Sequence, residues 1–149
     1  MKILLAVDGS KCSDAAIMEV ARQPWPAGSE VRIISAAEVP FVPSTEFGAL
    51  PPQYYDELAG VAREQAAAIV EKAVATLRRS QVTELPVDSL VVHEAPREAI
   101  IDEANRWGAD LIVVGSHGYR GYRRFLLGSV SQSVAVHASC SVMIVRERE

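Results

Sequence analysis

The chain is predicted to form a single α/β domain: a five-stranded parallel sheet with helices on both faces. Short apolar runs of strand length alternate with longer amphipathic ones of helix length. The short runs are apolar throughout rather than at every second residue, as strands covered on both faces require. No internal repeat or change of composition divides the 149 residues, a length that suits one domain able to bury roughly 68–70% of its unfolded surface.

Each element has a local cause. Lys2–Val7 is a first strand, and Ser10 or Ser13 can cap a helix that runs to about Gln23, where Pro24 and Pro26 stop it. Val31–Ala37 is a second strand. Pro40, Pro43, Pro51 and Pro52, with Gly48, exclude a regular helix or central strand over Val39–Gln53. A loop of about fifteen residues is long for a compact domain, so this one is expected either to flap beside a pocket, with Phe41, Phe47 and Leu50 as its apolar groups, or to be a passive linker. Leu58, Ala62, Ala66, Ile69, Ala73 and Leu77 recur at helical spacing and predict a long helix over Tyr54–Arg79. Pro86–Val92 is a third strand. Pro96 suits the first turn of a helix that ends at Trp107, with Gly108 as its terminator. Leu111–Gly115 is the fourth strand, a helix follows from Gly128-Ser129 to about Ala138, and Ser141–Val145 is the fifth strand.

Composition narrows the class. No apolar run approaches the ~18 residues of a membrane helix, and the opening strand is too short and too soon charged for a signal peptide. Cys12 and Cys140 make neither a metal spacing nor a disulfide framework, and the topology places them at opposite ends of the sheet as free thiols. A cytoplasmic location is expected. Fifteen basic against nineteen acidic residues, a net charge of −4, argues against nucleic acid as a main partner.

The most informative stretch is Leu111-Ile-Val-Val-Gly115-Ser-His-Gly118, followed after nine residues by Gly128-Ser129. A buried strand that releases its chain into a glycine-lined loop and then a helix start is suited to phosphate. Backbone N–H groups can approach where no Cβ intervenes, and the helix terminus adds partial positive charge. In a parallel sheet wound on both faces, a ligand sits beyond the carboxyl ends of the strands. Asp8 follows the first strand there, as a ligand group or as a turn former in Asp8-Gly9-Ser10.

Gly-x2-Gly-x9-Gly-Ser, with Ile3-Leu-Leu-Ala-Val-Asp8-Gly-Ser10, Ala109-Asp-Leu-Ile-Val-Val-Gly115 and Ser141-Val-Met-Ile-Val145, resembles the universal stress protein family in its ATP-binding branch, from Met1 to about Arg146. The resemblance implies a Rossmann-like fold of the adenine nucleotide alpha hydrolase type and a nucleotide site made of Val7, Asp8, Ala36, Val114, Gly115, His117, Gly118, Gly128, Ser129 and Ser131. In it Ala36 contacts the base through its backbone, Gly115 lies on the ribose side, and Gly118, Gly128, Ser129 and Ser131 lie on the phosphate side. Ser131 reads equally as helix surface. ATP, ADP or AMP is the implied ligand, with Mg²⁺ or Mn²⁺ carried on the phosphates and reached indirectly by Asp8. A homodimer through Ser141–Val145 is also implied. One departure is Glu94-Ala95-Pro96, where the family commonly has Gly-x-Pro; it sets a carboxylate at an edge of the pocket.

Other chemistries lack their motifs. Gly-x4-Gly-Lys-Ser/Thr is missing, as is Gly-x-Gly-x-x-Gly after the first strand, which argues against a P-loop ATPase and a dinucleotide oxidoreductase. His93-Glu94 stands where a response-regulator receiver resembling this architecture would carry its phosphoacceptor Asp. No nucleophile and base stand in an obvious order near the loop. His93 and His137 read as surface residues. Arg120, Arg123 and Arg124, interleaved with Tyr119 and Tyr122, either neutralise phosphates or are simply solvated. The reading is a nucleotide-holding stress or signalling protein, not an enzyme, whose bound state an unknown downstream protein reads. A slow Mg-dependent ATP hydrolase and a nucleotide-independent interaction scaffold are its alternatives.

Overall fold

The computed structural model describes residues 1–39, 51–79, 84–118 and 126–147. The elements run β1 (Lys2–Ala6), α1 (Lys11–Arg22), β2 (Glu30–Ala36), α2 (Pro52–Arg79), β3 (Val87–Val92), α3 (Pro96–Trp107), β4 (Leu111–Gly115), α4 (Ser129–His137) and β5 (Ser141–Val145). The five strands are all parallel, in the order β3-β2-β1-β4-β5.

Central β1 and β4 are apolar on both faces because a helical layer covers each. Ile3, Leu5, Val31, Ile33 and Val113 pack with α1 and α2, through Ile17, Val20, Val70 and Ala73. Leu4, Ala6, Ile34, Ile112 and Val114 pack with α3 and α4, through Ala99, Ile100, Ala104 and Val134. The two helical layers therefore change sides between β1 and β4, and the carboxyl ends of those strands splay their connections apart.

Boundaries follow the local signals. Ser10 caps α1 by accepting from the Ser13 N–H at 3.2 Å. Gly108 ends α3 in the left-handed region at φ 70°, where a Cβ would be strained. The second strand begins one residue earlier than expected and ends at Ala36, although the Ala37 N–H still donates to Val92 O at 2.8 Å. The expectation that Val39–Gln53 is all loop is corrected at its end. Pro52 and Gln53 open α2, because the first turn of a helix needs no N–H from proline. Residues 40–50, on which the flap reading rests, lie outside the described residues. Cys12 and Cys140 are free thiols, one in the first turn of α1 beyond the carboxyl end of β1, the other just before β5 at the amino end of the sheet.

At 28 residues α2 is about 42 Å long, far longer than the seven-residue β2 it returns along. Its buried residues, Ala66, Val70, Ala73 and Leu77, all fall in the second half. Within the first three turns Tyr54, Tyr55 and Val61 are exposed, while Leu58, Ala59 and Ala62 are half-buried.

Candidate functional site

A cavity of about 1110 Å³ opens at the change of sides between β1 and β4. Val7, Asp8, Ala36, Val114, Gly115, His117, Gly118, Gly128, Ser129 and Ser131 all line it. Residues 121 positions apart in sequence, such as Val7 and Gly128, meet because parallel strands deliver their loops to one end.

The phosphate-loop geometry is held by hydroxyls and backbone. Gly128 N–H donates to Ser116 O at 2.8 Å, and the Ser131 hydroxyl lies 2.9 Å from the same carbonyl and 3.0 Å from Gly128 O. From the other side the Ser10 hydroxyl donates to His117 O at 3.2 Å. The cap of α1 thus ties the β4 loop to the β1 loop. Ser131 is 2% exposed, which corrects its reading as helix surface. It lines the cavity while its hydroxyl hydrogen clamps the loop onto α4.

The three glycines differ in what they do. A Cβ on Gly115 would stand 2.8 Å from Cys12 C and 2.9 Å from Ser13 N. Gly115 lines the cavity as expected, and its lack of a side chain also makes room for the backbone of α1. Gly128 is pressed against the loop itself: a Cβ there would stand 3.2 Å from Ser116 O. At Gly118, among the described residues, a Cβ would meet the Asp8 carboxyl, its Oδ2 at 2.7 Å. Gly118 is thus the glycine whose bareness faces a cavity group.

Asp8 forms the turn with one oxygen and leaves the other on the cavity side. Oδ1 accepts from the Ser10 N–H at 2.9 Å in a turn that Gly9 makes at φ 80°, while Oδ2 faces Gly118. The helix start opposite is open. Gly128 supplies no side-chain cap, and the first bond within α4 runs from Gln132 N–H to Gly128 O at 2.9 Å. The N–H groups of Ser129, Val130 and Ser131 therefore have no helical acceptor and lie at the positive end of the helix, on the cavity wall.

Glu94 is exposed and does not border the cavity, so the concern about that edge is removed. Pro96, Ala99 and Ile100 form the edge instead. Arg120, Arg123 and Arg124 lie outside the described residues. Among the described residues no three His, Cys, Asp or Glu side chains gather as a metal site.

Strand two delivers Ala37 beside Ala36 as its sequence position implies, but sequence reasoning missed the rest of the apolar wall: Ile34, Ala62, Ala66 and Ile69, with Glu38 and Gln65 as polar groups. Ala62, Ala66 and Ile69 belong to the stripe read as core. The signal was the excess length of that stripe over the strands.

The universal stress protein family model matches residues 1–146. The chain belongs to the universal stress protein family. Its relatives include universal stress protein YxiE of Bacillus subtilis, 28% identical over 97% of this chain and 98% of that one. The universal stress protein encoded in the QAH/OAS sulfhydrylase 3′ region of Thermus aquaticus is 31% identical over 97% of each. Among solved structures, hypothetical protein MJ0577 superposes with a TM-score of 0.82 at 24% identity, covering 99% of this chain and 96% of that one. A universal stress protein in complex with cAMP gives 0.67 at 24% identity, covering 99% and 98%. An Arabidopsis thaliana universal stress protein family member with AMP bound gives 0.70 at 16% identity, covering 99% and 92%. This universal stress protein shares their fold, and its cavity lies where the fold places a ligand.

Proposed function

We propose that this universal stress protein binds an adenine nucleotide, ATP, ADP or AMP, and works as a nucleotide-dependent switch in a homodimer. The observation that carries the reading is convergence. The uncapped start of α4, the Ser116–Gly118 loop and the free Asp8 oxygen face one cavity whose other half is apolar. An anion suits the first half and a purine the second. Universal stress proteins crystallised with cAMP and with AMP support it.

Mg²⁺ or Mn²⁺ would travel on the phosphates and keep most of its water, with Asp8 within reach of that water shell. The reading is of holding rather than turnover, supported by a Ser116 hydroxyl that is 1% exposed and an Asp8 that commits one oxygen to its turn. The homodimer would form on the outer edge of β5, and an unknown protein would read the loaded state. No described helix is long and apolar enough to cross a membrane, and the proposed setting is cytoplasmic.

Mass spectrometry of the nucleotide retained through purification tests the reading directly. ATP at about 100 times its dissociation constant should stabilise the fold by ~2.7 kcal/mol, a melting shift of very roughly 5–10 °C. No retained nucleotide and no shift with ATP, ADP or AMP would overturn it.

A further inference from the structure

The cavity face of α2 carries one residue out of keeping with its neighbours. Ala62, Gln65, Ala66 and Ile69 all line the cavity, and their spacing is that of a single helical face. The other three are apolar; Gln65 sets a carboxamide among them. It is the one amide among the described residues that border the cavity. The residue is exposed, and its amide makes no hydrogen bond with another described residue. Its backbone is held: Ala66 and Val70 are buried, and Arg63 Nε–H donates to His93 Nε2 at 2.9 Å, tying this turn to the end of β3.

The uncapped start of α4 suits the anionic end of a nucleotide, which leaves the base to the apolar half where Gln65 stands. An amide offers a donor and an acceptor side by side. Adenine shows the matching pair along the edge that carries N6 and N7: the amine donates and N7 accepts. Guanine shows two acceptors there, O6 and N7. One amide cannot satisfy both, because its oxygen is then set against O6. We propose that Gln65 reads this edge of the purine and selects adenine over guanine.

The inference rests on the nucleotide-binding reading above and names the side chain that chooses the base. Ala62 and Ala66, one on each side of Gln65 along the face, are small and leave room for a flat ring beside the amide. Glu38, the other polar group of this half, supplies acceptors only. Both purines carry an exocyclic amine that could meet it, so Glu38 does not make the choice.

Calorimetry with ATP, GTP and 7-deaza-ATP, which lacks the N7 acceptor, tests the assignment on wild type, Gln65→Ala and Gln65→Arg. Wild type should prefer ATP over GTP by roughly tenfold or more, as one bidentate base contact discriminates. It should also bind 7-deaza-ATP several-fold more weakly than ATP. Gln65→Ala should lose most of both differences, through weaker binding of ATP rather than stronger binding of GTP. Gln65→Arg, with two donors for O6 and N7, should shift the preference toward GTP. An ATP-to-GTP ratio unchanged by Gln65→Ala, or equal binding of ATP and 7-deaza-ATP by wild type, would overturn the inference and leave nucleotide binding standing. Failure of wild type to bind any adenine nucleotide would overturn both. Alanine and arginine suit a helix interior; should either variant still not fold, the wild-type comparison of ATP with 7-deaza-ATP decides alone.

Discussion

Two glycines of the same motif should respond differently to one added methyl. At Gly115 the new Cβ meets the backbone of α1 at 2.8 Å, and backbone in a packed helix start cannot yield cheaply. Gly115→Ala should therefore cost about 1–3 kcal/mol, as overpacked sites do. At Gly118 the obstacle is the end of the Asp8 side chain, which can swing aside. Gly118→Ala should leave stability within about 0.5 kcal/mol but narrow the space between Asp8 and the loop. Urea unfolding of both variants, set beside their ATP-induced melting shifts, checks the contrast. A destabilised Gly118→Ala or an unaffected Gly115→Ala would contradict the geometry.

At the scale of elements, β5 illustrates what an edge strand leaves unpaired. The Ser116 N–H donates to Val145 O at 2.7 Å, so Val145 turns its polar groups toward β4, and alternation turns those of Met143 the same way. Val142 and Ile144 then direct their N–H groups outward, to the free edge. Both side chains still pack with α3 and α4. Met143 is thus the wrong place to probe a dimer with proline, since its N–H belongs to the β4 ladder. Ile144→Pro removes an outward donor and should give a folded monomer by sedimentation and circular dichroism, whereas Met143→Pro should lose the fold. A dimer that survives Ile144→Pro would count against pairing through β5.

Across the whole molecule, the ligand end and the opposite end of the sheet are built differently. The carboxyl end carries loops, an uncapped helix and a cavity. Away from the cavity, Glu103 of α3, 2% exposed, accepts from Arg32 of β2 at 2.7 Å, and Arg32 also reaches Asp88 of β3. Arg106 pairs with the second Glu103 oxygen at 3.0 Å, and the Arg32 guanidinium lies 4.6 Å from the centre of the Trp107 ring. Burial opposes the charge on Arg32, but its hydrogen bonds to Glu103 and Asp88 outweigh this and raise its pKa further. Glu103→Leu strips Arg32 of its buried partner and should cost about 3 kcal/mol. Pairing it with Arg32→Met should recover most of that loss. Denaturant midpoints of the single and double variants decide it, and a single variant of wild-type stability would refute the staple.

The sequence by itself determined the elements and their order. Strands apolar on both faces, Ser10 before α1, Pro96 and Gly108 around α3, and the Gly-x2-Gly-x9-Gly-Ser run are local signals, because backbone conformation and burial period are local properties. They also brought the cavity-lining residues of the motif onto one list, since the family pattern is itself local. Tertiary structure decided what each residue touches. Only the packing of β4 on α1 shows that a side chain at Gly115 would also collide with a helix. Only the tertiary packing shows that Ala62, Ala66 and Ile69 of α2 border the cavity. The Ser116 hydroxyl, beside the His117 ring, meets a thiol 104 residues away. Contacts between groups so distant in the chain leave no trace in spacing, because they depend on how parallel strands align rather than on any one segment.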